Sequence, residues 1–121
     1  MNPSFKIFSY NVGGNSHLAG LKVLVDELKP DVVFIQEDNL DNDKVNAQLG
    51  SDYNAESNID ESDVRKPGTS VAWRTNLAVI VTNVVKCRLQ IVTLDDISFV
   101  NCYANSWVFP FIRKYQGFCF T

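Results

Sequence analysis

With 121 residues, 45% of them apolar, the chain has the length and composition of one small globular domain. Its net charge of −3 excludes a bulk basic surface as evidence for nucleic-acid binding. No apolar run is long enough to cross a bilayer, and residues 1–10 lack the basic start and apolar core of a signal peptide. The three cysteines have no metal-type spacing, so we expect reduced thiols in an intracellular protein.

A strand, a helix and a second strand are predicted in residues 5–37. Residues 5–10 alternate between apolar and polar side chains, which is typical of a strand. A glycine-containing loop follows, and the next stretch, about 16–29, has apolar residues spaced by three and four, which predicts one helical face: Leu18, Leu21, Val25 and Leu28. The whole segment has the size of a βαβ unit with parallel strands.

The second of these strands ends in two polar residues. Pro30 terminates the helix, and the apolar run 32–35 has no polar alternation, which favours a strand covered on both faces. Gln36 and Glu37 close the run at its carboxyl end, the edge where open α/β sheets place their active sites. Glu37 is therefore a candidate metal ligand or general base. The alternative is that Glu37 only marks the point where the strand emerges into water.

The rest of the chain predicts a solvated segment followed by strands. Residues 38–66 are polar and acidic, with a short helix near 41–49 and a weak strand near 52–57. Further strands are predicted, with boundaries near 68–74, 85–94 and 97–104.

Two of these strands form a predicted antiparallel hairpin. Asp95 and Asp96 connect them tightly, and the alternation over 85–91 places Lys86, Arg88 and Gln90 on a face turned to water. Parallel pairing early in the chain and antiparallel pairing late in it predict a mixed sheet.

Three motifs stand in one order along the chain: Ser9-Tyr-Asn-Val-Gly13, Asp31-Val-Val-Phe-Ile-Gln-Glu37, and Gly68-Thr-Ser-Val-Ala-Trp73 followed by a hairpin that ends in Asn101-Cys-Tyr-Ala-Asn105. In this order they resemble the N-terminal half of the endonuclease/exonuclease/phosphatase superfamily over about residues 5–106. Within it, the sequence looks most similar to the endonuclease domains of non-LTR retrotransposons and to apurinic/apyrimidinic endonucleases. Any one motif alone is weak, and the ordered set is more specific.

The resemblance implies a fold and an activity. The fold is part of a four-layer α/β sandwich with mixed sheets, here truncated, and the activity is metal-dependent hydrolysis of DNA phosphodiesters with Mg²⁺ or Mn²⁺. It implies that Glu37 and Asn11 bind the metal, and that Asn11 and Tyr103 act in catalysis at the phosphate. Asn101 and Asn105, on either side of Tyr103 in the sequence, are candidate substrate contacts. A hard cation held by a carboxylate would stabilise the charge that develops on the phosphate. DNA is then the expected partner, and an intracellular or nuclear location without a membrane is expected.

Departures from the family pattern limit what this chain is expected to do. Asn105 stands where the family has proline, and the family's Asp-any-Asn, further Asp and terminal Ser-Asp-His motifs do not occur. His17, the single histidine, follows the first strand without a preceding aspartate and is not expected to be catalytic. Because the motifs of the family's second half are absent, we expect an inactive fragment. We also expect it to self-associate through exposed apolar surface, with a contribution from residues 107–121, an atypical aromatic tail. The alternatives are a non-catalytic binding or dimerising module, and a phosphodiesterase that acts on a lipid or a small phosphate ester.

Overall fold

Two helices and eight strands are found in the computed structural model, which describes residues 4–13, 18–40, 42–63 and 66–103 and the backbone of 119–120. Their bounds in chain order are β1 (Ile7–Asn11), α1 (Leu18–Leu28), β2 (Val32–Asp38), α2 (Asn42–Leu49), β3 (Tyr53–Asn58), β4 (Gly68–Arg74), β5 (Val79–Val85), β6 (Leu89–Leu94), β7 (Ile97–Cys102) and β8 (Cys119–Phe120).

The strands form two mixed sheets. Sheet 1 has the order β1-β2-β4-β3, and β1 pairs with β2 in parallel across α1, which confirms the predicted βαβ unit. The other pairs of sheet 1 are antiparallel. Sheet 2 has the order β5-β6-β7-β8, with antiparallel pairs as far as β7 and a parallel pair between β7 and β8. The hairpin at Asp95 and Asp96 is confirmed, with Asp95 in the left-handed conformation at φ 55°.

The described residues build three layers around two large apolar cores, and a smaller third cluster consists of Leu89, Val100 and Cys102 on sheet 2. One core lies between the helices and sheet 1 and contains Leu21, Val25, Val33, Ile35, Val45 and Leu49. The other lies between the two sheets and contains Val32, Phe34, Val71, Val92 and Leu94. Since β2 contributes alternate side chains to both cores, its uninterrupted apolar run is explained. This architecture is the predicted α/β sandwich with mixed sheets.

The helix α1 ends at the predicted position. The Lys29 N–H still bonds to the Val25 carbonyl at 2.9 Å, but Lys29 itself has φ 47° and leaves the helix. Pro30 follows and cannot continue a helix, because its ring fixes φ and removes the N–H donor. The buried residues Leu21 and Val25 lie on the predicted apolar face.

The predicted strand over 85–94 starts too early, because residues 86–88 form a turn that reverses the direction of the chain. β5 ends at Val85 and β6 begins at Leu89, with Cys87 in the left-handed conformation at φ 66°. Asn58, from a strand of the other sheet, accepts a hydrogen bond from the Cys87 N–H at 3.1 Å and so stabilises the turn. Both faces of β6 are covered, because Leu89 packs against Val100 and Cys102 whereas Gln90 bonds to the Glu56 carbonyl of sheet 1 at 3.1 Å. Gln90 is fully buried, whereas the alternation predicted it in water.

The cysteines also differ from the expectation. Cys102 is disulfide-bonded, so the prediction of reduced thiols is wrong for this residue, whereas Cys87 is free and buried. Sequence spacing did not show this because disulfide formation depends on which segments become neighbours in space. His17, Asn105 and the predicted boundary near 106 lie outside the described residues, as does the aromatic tail apart from the backbone of β8. No helix in the described part of the chain is long and apolar enough to span a membrane.

Candidate active site

The core between the two sheets changes from apolar to polar at one end. Across sheet 1 the backbone register places four polar residues side by side in the last row: Asn11, Gln36, Thr69 and Asn58. Sheet 2 faces this row with Gln90 and Asn101, both fully buried. Buried polar side chains need hydrogen-bond partners, so this end of the core is held by directed contacts.

Gln36 and Asn101 join the two sheets at this polar end. The Gln36 Nε2 donates to the Asn101 Oδ1 at 3.0 Å and to the Ser9 Oγ at 2.9 Å. The Asn101 Nδ2 donates to the Ser70 carbonyl at 2.8 Å and to the Gln90 Oε1 at 3.0 Å. Asn101 was predicted as a substrate contact, but its exposure is 0%, and its side chain is bonded inside the protein.

Glu37 lies at a β-bulge. The register between β2 and β4 shifts between Gln36 and Asp38, and Glu37 has φ 57°, a conformation that L-residues with a side chain rarely adopt. The bulge interrupts the alternation of β2 and leaves Glu37 only partly buried, between two fully buried neighbours. Backbone strain of this kind occurs frequently at functional sites.

Asp38 is a buried carboxyl that the sequence analysis did not select. Its Oδ1 accepts a hydrogen bond from the Leu40 N–H at 3.1 Å, whereas its Oδ2 is buried and accepts none. Burial raises the pKa of Asp38 to about 6, and the Leu40 N–H and the nearby Ser70 hydroxyl offset part of this shift. The Ser70 hydroxyl itself donates to the Ser57 Oγ at 3.3 Å. In the sequence, only the position of Asp38 directly after Glu37 indicated that this carboxyl could belong to the site.

Tyr103 is held by Arg88, another residue that the sequence analysis placed on a plain solvent face. The Tyr103 N–H donates to the Arg88 carbonyl at 2.9 Å, and the Arg88 guanidinium lies 4.5 Å from the centre of the Tyr103 ring. A cation over an aromatic face is attracted by the ring quadrupole, so Arg88 restricts the orientation of Tyr103. Arg88 belongs to the β5–β6 turn that Asn58 stabilises.

Contacts between β2 and β7 show that both strands end on the same side of the molecule. The Phe34 and Phe99 ring centres lie 5.7 Å apart, and two residues further along each strand Gln36 bonds to Asn101. The two strands therefore run in the same direction across the core, and Glu37 and Tyr103 follow at the same end.

Asn11 belongs to this end as well. It is the register partner of Gln36, and the Val12 N–H donates to the Gln36 carbonyl at 3.0 Å. Its exposed side chain accepts a hydrogen bond from the Gly13 N–H at 2.8 Å, with Gly13 at φ 56°. The structure thus brings Asn11, Glu37 and Tyr103 to one end of the sandwich. Asn101 lies beneath them in the core.

The side chains at this end offer carboxylate and amide oxygens, which are the type of ligand that a hard divalent cation prefers. Glu37 carries one charged oxygen that could serve as a ligand, and the Asn11 amide oxygen already accepts a backbone hydrogen bond. Among the described residues, no group of three or more His, Cys, Asp or Glu side chains lies close enough together to hold a metal ion. An ion such as Mg²⁺ usually keeps several water ligands, so one carboxylate provides an anchor but only a weak site.

Several solved structures are similar to this chain. An AP endonuclease from Archaeoglobus fulgidus matches with 21% identity and a TM-score of 0.60, over 83% of this chain and 41% of that one. AP endonuclease LMAP from Leishmania major matches with 17% identity and a TM-score of 0.62, over 93% and 46%. TDP2 from D. rerio, complexed with a single-strand DNA product, matches with 18% identity and a TM-score of 0.58, over 93% and 54%.

These structures all share one fold, the endonuclease/exonuclease/phosphatase fold. The chain has the endonuclease/exonuclease/phosphatase fold. This confirms the fold that the three motifs predicted. The sequence identities to the matched structures are low, so the similarity concerns the fold alone. The chain spans about half the length of these matched structures. No protein-family model and no curated protein sequence matches it.

Proposed function

We propose that the chain provides the metal-binding and phosphate-contacting end of a divalent-metal-dependent endonuclease of the retrotransposon type. The observation that supports this most is that Asn11, Glu37 and Tyr103 end up on one side of the sandwich, although they come from two sheets and are far apart in sequence. A partly buried carboxylate on a strained bulge, flanked by neutral hydrogen-bonding side chains, suits a phosphodiester and its counterion.

Each of the three residues has a proposed task. Glu37 anchors Mg²⁺ or Mn²⁺ through its carboxylate, and Asn11 completes the protein's share of the ligands. A bound divalent ion stabilises the negative charge that develops on the phosphate. Tyr103 donates a hydrogen bond from its hydroxyl to a non-bridging phosphate oxygen, which orients the ester without adding charge. Asn105, two positions after Tyr103 in the sequence, is a further proposed substrate contact.

DNA is the proposed substrate rather than a lipid or a small phosphate ester. The matched structures include AP endonucleases and a TDP2 with its DNA product. The β5–β6 turn at the same end also carries Lys86 and Arg88, two cations that can face a phosphate backbone although the net charge is −3. The chain spans about half the length of these structures. We therefore propose that the isolated chain binds metal and DNA but does not cleave the DNA.

Metal binding by the 121-residue chain tests the proposal directly. We expect weak Mn²⁺ binding, measured by water-proton relaxation, that Glu37→Gln abolishes because the amide removes the anchoring charge while nearly preserving the shape. Glu27→Gln, an exposed residue of α1 remote from the polar end, is the matched control and should bind Mn²⁺ as the wild type does. Equal Mn²⁺ binding by wild type and Glu37→Gln would refute the proposed site.

Cleavage assays test the second part of the proposal. We expect no nicking of plasmid or abasic-site DNA by the chain with Mg²⁺ or Mn²⁺. We expect nicking when the chain is fused to the part of the fold that it does not span, and loss of this nicking in Glu37→Gln. Metal-dependent nicking by the unfused chain, abolished by Glu37→Gln, would show that this half suffices. Metal binding without nicking in any form would favour the non-catalytic binding module.

A further inference from the structure

Three buried amide side chains form a continuous network through the polar end of the core. This amide network consists of Gln36 on β2, Asn101 on β7 and Gln90 on β6, all with 0% exposure. Gln36 bonds to Asn101 at 3.0 Å, and Asn101 bonds to Gln90 at 3.0 Å. Five further contacts attach the network to its surroundings. Gln36 bonds to the Ser9 hydroxyl, Asn101 to the carbonyls of Ser70 and Ile35, and Gln90 to the Glu56 carbonyl and the Asn83 side chain.

The amide network differs from the rest of the interface in being directional. Away from the polar end, the contacts between the sheets are apolar, and apolar packing tolerates small sliding movements because the hydrophobic effect has no preferred direction. An amide that bonds to fixed backbone carbonyls on one sheet and to an amide on the other admits only one relative placement. Together with the bonds that Asn58 and Asn83 make between the sheets, the network determines how the sheets sit against each other at this end.

The network is not arranged for maximal stability. The Gln36 Oε1 is buried and accepts no hydrogen bond, which is unfavourable for folding. Apolar residues of similar volume would fill the same space without leaving such an atom, as they do one layer away at Phe34 and Val92. Such a loss of folding stability is expected where a buried polar group is retained because it fixes the relative position of two elements.

The residues next to the network belong to the proposed active site. Glu37 directly follows Gln36, and Tyr103 stands two positions after Asn101. β2 and β7 belong to different sheets, so in the described part of the chain no backbone ladder links them. Asn101 links the two strands directly, since it accepts a hydrogen bond from the Gln36 side chain at 3.0 Å and donates to the Ile35 carbonyl at 3.4 Å.

We infer that the amide network of Gln36, Asn101 and Gln90 is a positioning device that sets the placement of Tyr103 relative to Glu37. This inference rests on the proposed function in assigning a task to those two residues. None of the three amides touches substrate. They act by fixing the ends of β2 and β7, and through them the opening in which a phosphate and its counterion would lie.

Fluorine NMR on the full chain tests the inference. The chain has four tyrosines, so 3-fluorotyrosine gives few signals, and a Tyr103→Phe sample assigns the signal of Tyr103. Without metal, the Tyr103 shift reports its environment, including the Arg88 stacking. With Mn²⁺ added, paramagnetic broadening of the same signal reports the distance from the ion to Tyr103.

Two network variants and one control decide the outcome. Gln36→Met and Gln90→Met keep side-chain volume but remove the amide bonds, and we expect both to move the Tyr103 signal and to reduce its Mn²⁺ broadening severalfold. Val92→Ala, on the same face of β6 but in the apolar layer, loosens the core without touching the network and should leave both readouts near wild type. If Gln36→Met does not fold, Gln90→Met, which lies outside β2, decides alone.

The outcomes separate the inference from the proposed function. Unchanged Tyr103 signals in both methionine variants would overturn the inference, and so would an equal change in Val92→Ala. If Mn²⁺ does not broaden the Tyr103 signal of the wild type, the proposed metal site fails. The metal-free shift of Tyr103 then decides the inference by itself.

Discussion

Two adjacent carboxylates, Glu37 and Asp38, have opposite environments at the end of β2. The bulge leaves Glu37 partly exposed at φ 57° and buries Asp38 completely. Only the partly exposed carboxylate is available to a cation, whereas the buried one bonds to the Leu40 N–H. The register shift at the bulge therefore gives the neighbouring carboxylates of Glu37 and Asp38 different exposure to solvent.

Asp38→Asn is expected to stabilise the protein at neutral pH. Burial raises the pKa of Asp38 to about 6 from 3.8, so between these values the folded protein binds a proton more tightly than the unfolded chain. The free energy of unfolding therefore falls as the pH rises from about 4 to 6 and stays lower above that range, by about 3 kcal/mol at most. The substituted amide would keep the acceptor for the Leu40 N–H and carry no charge. Urea unfolding at several pH values measures this.

Asp60→Asn is the control for this pH experiment because its linkage has the opposite sign. The Ser62 side chain, the Ser62 N–H and Lys86 lower the pKa of Asp60, so its carboxylate contributes stability above the usual pKa and loses it as the pH falls. Replacing Asp60 should lower stability at neutral pH. A wild-type stability that does not decrease between pH 4 and 6, or no gain in Asp38→Asn, would contradict the environment assigned to Asp38.

At the scale of elements, the β5–β6 turn depends on one side chain of the other sheet. The Asn58 Oδ1 accepts the Cys87 N–H, and its Nδ2 donates to the carbonyls of Val85 at 2.9 Å and Leu89 at 3.3 Å. Asn58 is almost completely buried, so water does not replace these bonds easily. The same turn carries Arg88, which stacks on Tyr103.

Asn58→Ala should therefore destabilise the fold and release the turn. Loss of the side chain removes the acceptor of the Cys87 N–H and the bonds to the carbonyls of Val85 and Leu89, which we expect to cost about 2–4 kcal/mol in the free energy of unfolding. Asn54→Ala, an exposed position of the same strand β3, is the control and should change stability little. Urea unfolding compares the two variants, and equal stabilities would refute the importance of the Asn58 contacts.

At the scale of the whole molecule, β5 is an edge of sheet 2 among the described strands. It is rich in β-branched residues, and Ile80 on it is 70% exposed. Exposed apolar edge strands are templates for pairing with a second copy.

We predict that the purified chain self-associates and that Ile80→Lys shifts it toward the monomer, because a charge on an edge strand opposes strand pairing. Val23→Lys changes an exposed apolar residue of α1 instead and should have no such effect. Sedimentation velocity over a range of concentrations measures both. A clean monomer for the wild type would contradict the prediction.

The sequence alone determined the elements that local patterns encode. The apolar spacing from Leu18 to Leu28, the stop at Pro30 and the uninterrupted run 32–35 predicted the βαβ unit, because helix and strand periodicity are properties of neighbouring residues. The turn at Asp95 and Asp96 was predicted for the same reason. The ordered motifs also placed Asn11, Glu37 and Tyr103 at strand ends.

Only the tertiary structure decided which polar side chains are buried and which remain accessible. The turn at Cys87 is stabilised by Asn58 from another sheet, and the burial of Gln90 and Asn101 follows from their position between the sheets. The bulge that separates Glu37 from Asp38 depends on how β2 pairs with β4. These features depend on contacts between segments distant in the chain, and the alternation of a single strand does not specify the partner that will cover each of its faces.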